Sequence, residues 1–186
     1  MKTVSSLLAI VMLALAVGSA SAIAGDNVMV GGEAMFKTKD IIDNAVNSKD
    51  HTTLVAAVKA AGLIETLKGK GPFTVFAPTN DAFENLPAGT VETLLKPENK
   101  NTLTTVLTYH VVAGRMDFNS IAKEIKAGKG TATLKTVSGG NLWAMMNGEH
   151  NITVKDEKGN VANISTYDVY QSNGVIHVVD KVLLPK

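Results

Sequence analysis

The chain has 186 residues, with 18 lysines and arginines against 17 aspartates and glutamates, for a formal net charge of +1. A charge so near zero, with Arg115 as the single arginine, leaves no basic surface for nucleic acid. The absence of cysteine excludes disulfides, thiolate metal sites, a thiol nucleophile and a lipid-modified cysteine.

Residues 1–22 read as a signal peptide. Lys2 supplies the positive start, Leu7 to Val17 an apolar run of 11 residues, and Ala20-Ser21-Ala22 a small-x-small site with cleavage expected before Ile23. The run falls short of the about 20 residues that span a bilayer, so no membrane span is expected in the mature chain. Export to the periplasm or the extracellular space follows. Residues 23–37, with three glycines and little periodicity, read as a flexible lead-in, and residues 38–186 as one domain.

Within that domain helices come first. Ile41, Ile42, Ala45 and Val46 mark one amphipathic helix; Leu54, Val55, Val58 and Ala61 mark a second, interrupted at Gly62. Phe73 to Ala77 alternates as a strand that Pro78 stops, and Thr79 or Asn80 caps the next helix. Pro87 and Pro97 are expected to open two more helices, the second burying Leu103, Val106 and Leu107 before Tyr109-His110-Val111-Val112 turns β-rich. Asp117 or Asn119 starts a last helix that ends at Gly128.

Beyond Gly130 the period is two. Runs at residues 131–137, 142–146, 152–154, 161–164, 169–171, 175–179 and 182–184 are separated mostly by Gly- and Asn-rich turns such as Asn147-Gly148 and Asn173-Gly174. Helices followed by strands give an α+β class with a largely antiparallel sheet. In the last hairpin strand Val175, His177 and Val179 share one face and Ile176 and Val178 the other.

Three stretches resemble the hallmarks of one family, the fasciclin (FAS1) domain. Thr74-Val75-Phe76-Ala77-Pro78-Thr79-Asn80-Asp81-Ala82-Phe83 is similar to its first signature, Tyr109-His110-Val111-Val112 to its central motif, and residues 173–185 to its second signature. Ala113 departs from the pattern, standing where many bacterial relatives have proline. The resemblance implies a wedge-like antiparallel β-sandwich of about seven strands with helices along one side. It also implies a non-enzymatic role in cell adhesion, or in binding a protein or polysaccharide at the cell envelope or matrix. With one such unit in the chain, avidity would call for self-association. Because some algal relatives carry carotenoid, the resemblance keeps an alternative, a carrier of a small apolar ligand such as a carotenoid or lipid.

The candidate residues divide accordingly. In animal relatives the Tyr-His region is linked to receptor adhesion, which makes Tyr109 and His110 the partner-binding candidates. Structural burial is the competing reading, with the Asn80-Asp81 corner expected to hold the His110 ring. Trp143 and Met145 share a strand face, either as sheet core or as an exposed apolar patch for a partner or for the lipophilic ligand of the carrier alternative. His177 is expected in the core, and His51 and His150 in solvent. No cofactor or metal site and no catalytic residue is expected: the histidines lack ligand spacing, no Gly-x-Ser-x-Gly elbow occurs, and the carboxylates are scattered.

Overall fold

The structure, a computed structural model, describes residues 27–186. The signal peptide and its cleavage point lie outside the described residues. The described part of the expected lead-in forms a hairpin, β1 (Met29–Val30) with β2 (Glu33–Ala34). Met35 follows it into the core at 3% exposure, its amide bonded to the Val28 carbonyl at 2.9 Å.

Helices α1 (Ile41–Ala45), α2 (Thr52–Ala61) and α3 (Ile64–Lys68) come next. Asp40 caps α1 by accepting the Asp43 amide. Gly62 ends α2 in the left-handed region that glycine adopts without a Cβ penalty. Strand β3 (Phe73–Pro78) leads to α4 (Asn80–Glu84), and Thr79 is the residue that caps it, through the Ala82 amide. The segment opened by Pro87 becomes helical only at α5 (Thr90–Leu94), because the Thr90 amide first closes a turn onto the Pro87 carbonyl. Pro97 opens a 3₁₀ turn that continues into α6 (Lys100–Tyr109), followed by β4 (Val111–Ala113) and α7 (Phe118–Ala127).

Strands β5 (Ala132–Lys135), β6 (Asn141–Met146), β7 (Ile152–Lys155), β8 (Val161–Gln171) and β9 (Gly174–Val179) complete a seven-stranded sheet ordered β4-β3-β9-β8-β7-β6-β5. All neighbours are antiparallel except β3 and β9, which run parallel. The long β8 pairs β7 through residues 161–163 and β9 through residues 164–171, with register shifts at the crossing. Bulges bend a strand, and this one folds the sheet over itself until Val112 bridges Thr136. The α+β class and sandwich expected from the sequence are those observed.

Two apolar cores result. One, between the halves of the folded sheet, holds Phe76, Tyr109, Ile121, Leu142, Ile152, Val154 and Leu183. The other lies between the helices and the opposite face of β3 and β9, with Ile41, Leu54, Val58, Val75, Leu107 and Ile176. Strand β9 is buried along its whole length because each of its faces serves a different core. Val182 to Leu184, expected as a strand, is not one. Its first two residues are buried, but side-chain acceptors rather than a neighbouring strand take its amides.

Candidate functional site

The central motif sits where α6 turns into β4. Tyr109 is 0% exposed and His110 3%, so the residues proposed to meet a partner face inward instead. The side chains of α6 that face the sheet place Tyr109 in the core between the sheet halves. Its hydroxyl donates to the Asn141 carbonyl at 2.6 Å and accepts the Glu157 amide at 2.9 Å. Burial pushes this phenol up to about 12, so it remains a neutral donor at any physiological pH.

His110 bonds neither Asn80 nor Asp81. Its Nδ1 lies 2.8 Å from the Val106 carbonyl, and its Nε2 accepts the Leu183 amide at 2.9 Å. An amide can only donate, so Nε2 carries no proton and Nδ1 donates to Val106; the ring is neutral by geometry. Desolvation works the same way and holds its pKa down at about 4. Asn80 is otherwise engaged, accepting the Thr53 amide and donating to the Lys49 carbonyl. The corner resolves into a clamp on residues 183–186: His110 holds Leu183, Asp156 Oδ2 accepts the Leu184 amide, and Glu157 Oε2 accepts that of Lys186.

His177 is a core residue, as its strand context predicts. At 0% exposure its Nε2 donates to the Met116 carbonyl at 2.8 Å, and its ring stacks on Phe76 with centroids 5.7 Å apart. Burial holds its pKa below the ordinary histidine value. Both signature histidines are thus neutral and spent on backbone. Among the described residues no group of three or more His, Cys, Asp or Glu is placed to hold a metal ion.

Trp143 and Met145 are not sheet core. Alternation along β6 turns Leu142 and Ala144 inward at 0% exposure and leaves Trp143 and Met145 half-buried on the outer face. Strand register sets Thr133, Trp143, Lys155 and Val161 in one row across this face. The row beside it holds Met145, Thr153 and Asn163. The result is a surface of one aromatic ring among methionine, threonine, asparagine and lysine side chains, not an enclosed apolar site.

The enclosed apolar space lies on the other side of the molecule. A cavity of about 90 Å³ lies between α1, α2, α3 and the sheet, walled by residues such as Ile42, Leu54, Val58, Leu67, Val75 and Ile176. An empty space of this size costs about 2 kcal/mol relative to filled packing. His51, expected in solvent, is 3% exposed and lines it. Its place at the C-terminal end of the 3₁₀ turn Lys49–His51 directs it into the core, a placement that no sequence period reveals. Asn173, in sequence a turn residue at the start of the second signature, is a structural tie as well. Its buried amide accepts the Ile41 amide at 3.0 Å and donates to the Leu67 and Gly69 carbonyls, tying α1 and α3 to the β8–β9 hairpin.

The Fasciclin domain family profile matches residues 49–185, which contain Asp156, Glu157, both signature histidines and the β8–β9 hairpin. The chain belongs to the fasciclin domain family. A fasciclin-domain relative, protein sll1483 of Synechocystis sp., is 45% identical over 159 residues, covering 84% of this chain and 79% of its own. The cell surface glycolipoprotein MPB83 of Mycobacterium bovis is 31% identical over 160 residues, covering 83% of this chain and 64% of its own. The fold is similar to that of a FAS1 domain pair from the insect cell adhesion molecule fasciclin I, with a TM-score of 0.59 at 22% identity, over 76% of this chain and 45% of that one. Among the described residues no helix of this fasciclin domain is long and apolar enough to cross a membrane.

Proposed function

We propose that this chain is an exported, non-enzymatic fasciclin module that attaches to a protein or polysaccharide at the cell envelope or in the extracellular matrix. The observation that carries this reading is the inward use of the signature residues. Tyr109, His110 and His177 spend their polar atoms on backbone, so they hold a scaffold and do not present a reacting group. A cell-surface glycolipoprotein among the relatives agrees with such a location.

The contact surface this reading favours is the outer sheet face around Trp143 and Met145. A partly exposed indole supplies apolar area, while Lys155, Thr133 and Asn163 around it supply hydrogen bonds, a mixture common to protein and glycan contacts. Tyr109 and His110 contribute to binding only by holding that face in shape.

The test is retention of native envelope fractions, separated into protein and polysaccharide, on the immobilised mature domain and on Trp143→Ala. Retention that falls at least tenfold in the variant, with unfolding unchanged, supports the reading. Equal retention by both proteins removes the face, and a turnover abolished by one polar substitution removes the non-enzymatic assignment.

A further inference from the structure

We propose that the cavity beneath α1, α2 and α3 is a binding site for a small, uncharged aliphatic molecule carrying one hydrogen-bond-accepting oxygen. This goes beyond the adhesion reading and stands on different residues, so either can fail without the other.

The first argument is an unused donor. His51 Nδ1 lies 2.8 Å from Ser48 Oγ, and that ring nitrogen is the one hydrogen-bond partner of the buried hydroxyl among the described residues. Donation from Ser48 to Nδ1 uses the hydroxyl proton and leaves the proton of the neutral ring on Nε2. Nε2 is the one buried side-chain nitrogen or oxygen among the described residues without a hydrogen-bond partner. The Ala77 carbonyl lies near the ring and favours its charged form, yet it makes no hydrogen bond of ordinary length and angle with Nε2; desolvation outweighs it and the ring stays neutral. Native proteins rarely leave such a group unpaired, because it forfeits a bond made in water.

The second argument is shape and polarity. The cavity is almost wholly apolar; of the other polar side chains along it, Thr108 is bonded to the Thr104 carbonyl and His110 to Val106 and Leu183, while Lys59 and Thr66 are exposed at its edge. An anion beside the neutral His51 ring would lose its hydration without gaining a buried counter-charge, since Lys59 is exposed at the edge, which selects a neutral acceptor such as a ketone, ester or alcohol. At about 90 Å³ the space is smaller than the roughly 150 Å³ apolar cavity that accepts benzene, so it suits a narrow chain and cannot enclose a carotenoid. The third argument is access. Val46 and Val137, both part of the lining, are 54% and 48% exposed, an apolar rim where the rest of a longer chain can lie.

The probes are 2-pentanone and n-pentane, matched in length and differing in the acceptor. Binding is read by methyl and imidazole NMR shifts on the domain and on His51→Phe. We expect both probes to perturb Val58 and Ile42 methyls, and 2-pentanone alone to shift the His51 Nε2 signal. The ketone-to-alkane affinity ratio should fall about tenfold in His51→Phe. Ala45→Leu, which fills the space from α1, should exclude both. If neither probe perturbs the cavity methyls, or if the ratio is the same in both proteins, the proposal is wrong. Should His51→Phe fail to fold, the His51 Nε2 signal of the unmodified domain decides: a shift with the ketone supports the site, and no shift overturns it.

Discussion

Acidification should weaken this fold through His110 by an amount the structure sets. The ring accepts the Leu183 amide on Nε2, and protonating that atom replaces a hydrogen bond with two donors facing each other inside an apolar core. Burial holds the folded pKa at about 4, against 6.5 for the unfolded chain. The folded state therefore disfavours the proton that the unfolded state takes up. The stability contribution is complete above about pH 6.5, declines as pH falls, and is lost through pH 4. At about 1.4 kcal/mol per tenfold change in proton affinity, the difference is about 3 kcal/mol. His51 and His177, also held below the ordinary value by burial, act with the same sign, so the measurement must isolate His110. Urea unfolding followed by the single tryptophan, Trp143, compares the protein with His110→Gln at pH 7 and pH 4. The variant should be the less stable at pH 7, and the gap should close by about 3 kcal/mol at pH 4. A gap that does not change with pH, or an NMR titration of His110 near 6.5, would refute the clamp geometry.

Tyr109→Phe removes the bonds to the Asn141 carbonyl and the Glu157 amide together, and should lower stability by about 2–3 kcal/mol in the same assay. Asn173→Ala strands the Ile41 amide and two carbonyls; a loss of about 3 kcal/mol is expected, with faster hydrogen exchange in α1 and α3 than in β6. Gly174→Ala drives a methyl group into the Phe73 carbonyl across the parallel β3–β9 pair, where backbone cannot yield. It should cost about 3 kcal/mol or more, visible as a thermal midpoint lowered by several degrees. Trp143→Ala, by contrast, should cost no more than about 1–2 kcal/mol, since its face looks outward; a loss above 3 kcal/mol would place the ring in the core after all.

Local chemistry made much of the molecule readable. The caps at Thr79 and Asp117, the stop at Gly62, and the Asn-Gly turn at Asn147-Gly148 depend on a residue and its immediate neighbours, and the elements lie where those signals put them. The run of β9, apolar but for Gly174 and His177, sets apolar side chains on both faces of the strand, and both faces are buried. The errors share another origin. Trp143 has the composition of a core residue, yet its side of the sheet is decided by the register of β5, β6 and β7. His51 looks like a solvated helix start until the 3₁₀ turn Lys49–His51 carries it into the cavity wall. The partner of His110 lies not in the first signature but 73 positions along the chain, at Leu183.

By itself, then, the amino-acid order determined the family, the α+β class, most elements and the inward fate of His177, because those follow from period, capping and motif. It also determined the near-zero charge and the absence of cysteine chemistry. Only tertiary structure decided which atoms those residues touch. The bend in β8 creates two cores instead of one, the helices leave a cavity beside an unpaired histidine nitrogen, and residues 183–186 become a strap gripped by His110, Asp156 and Glu157. Hydrogen-bond partners and cavities are properties of distances between segments far apart in the chain, and no local pattern encodes them.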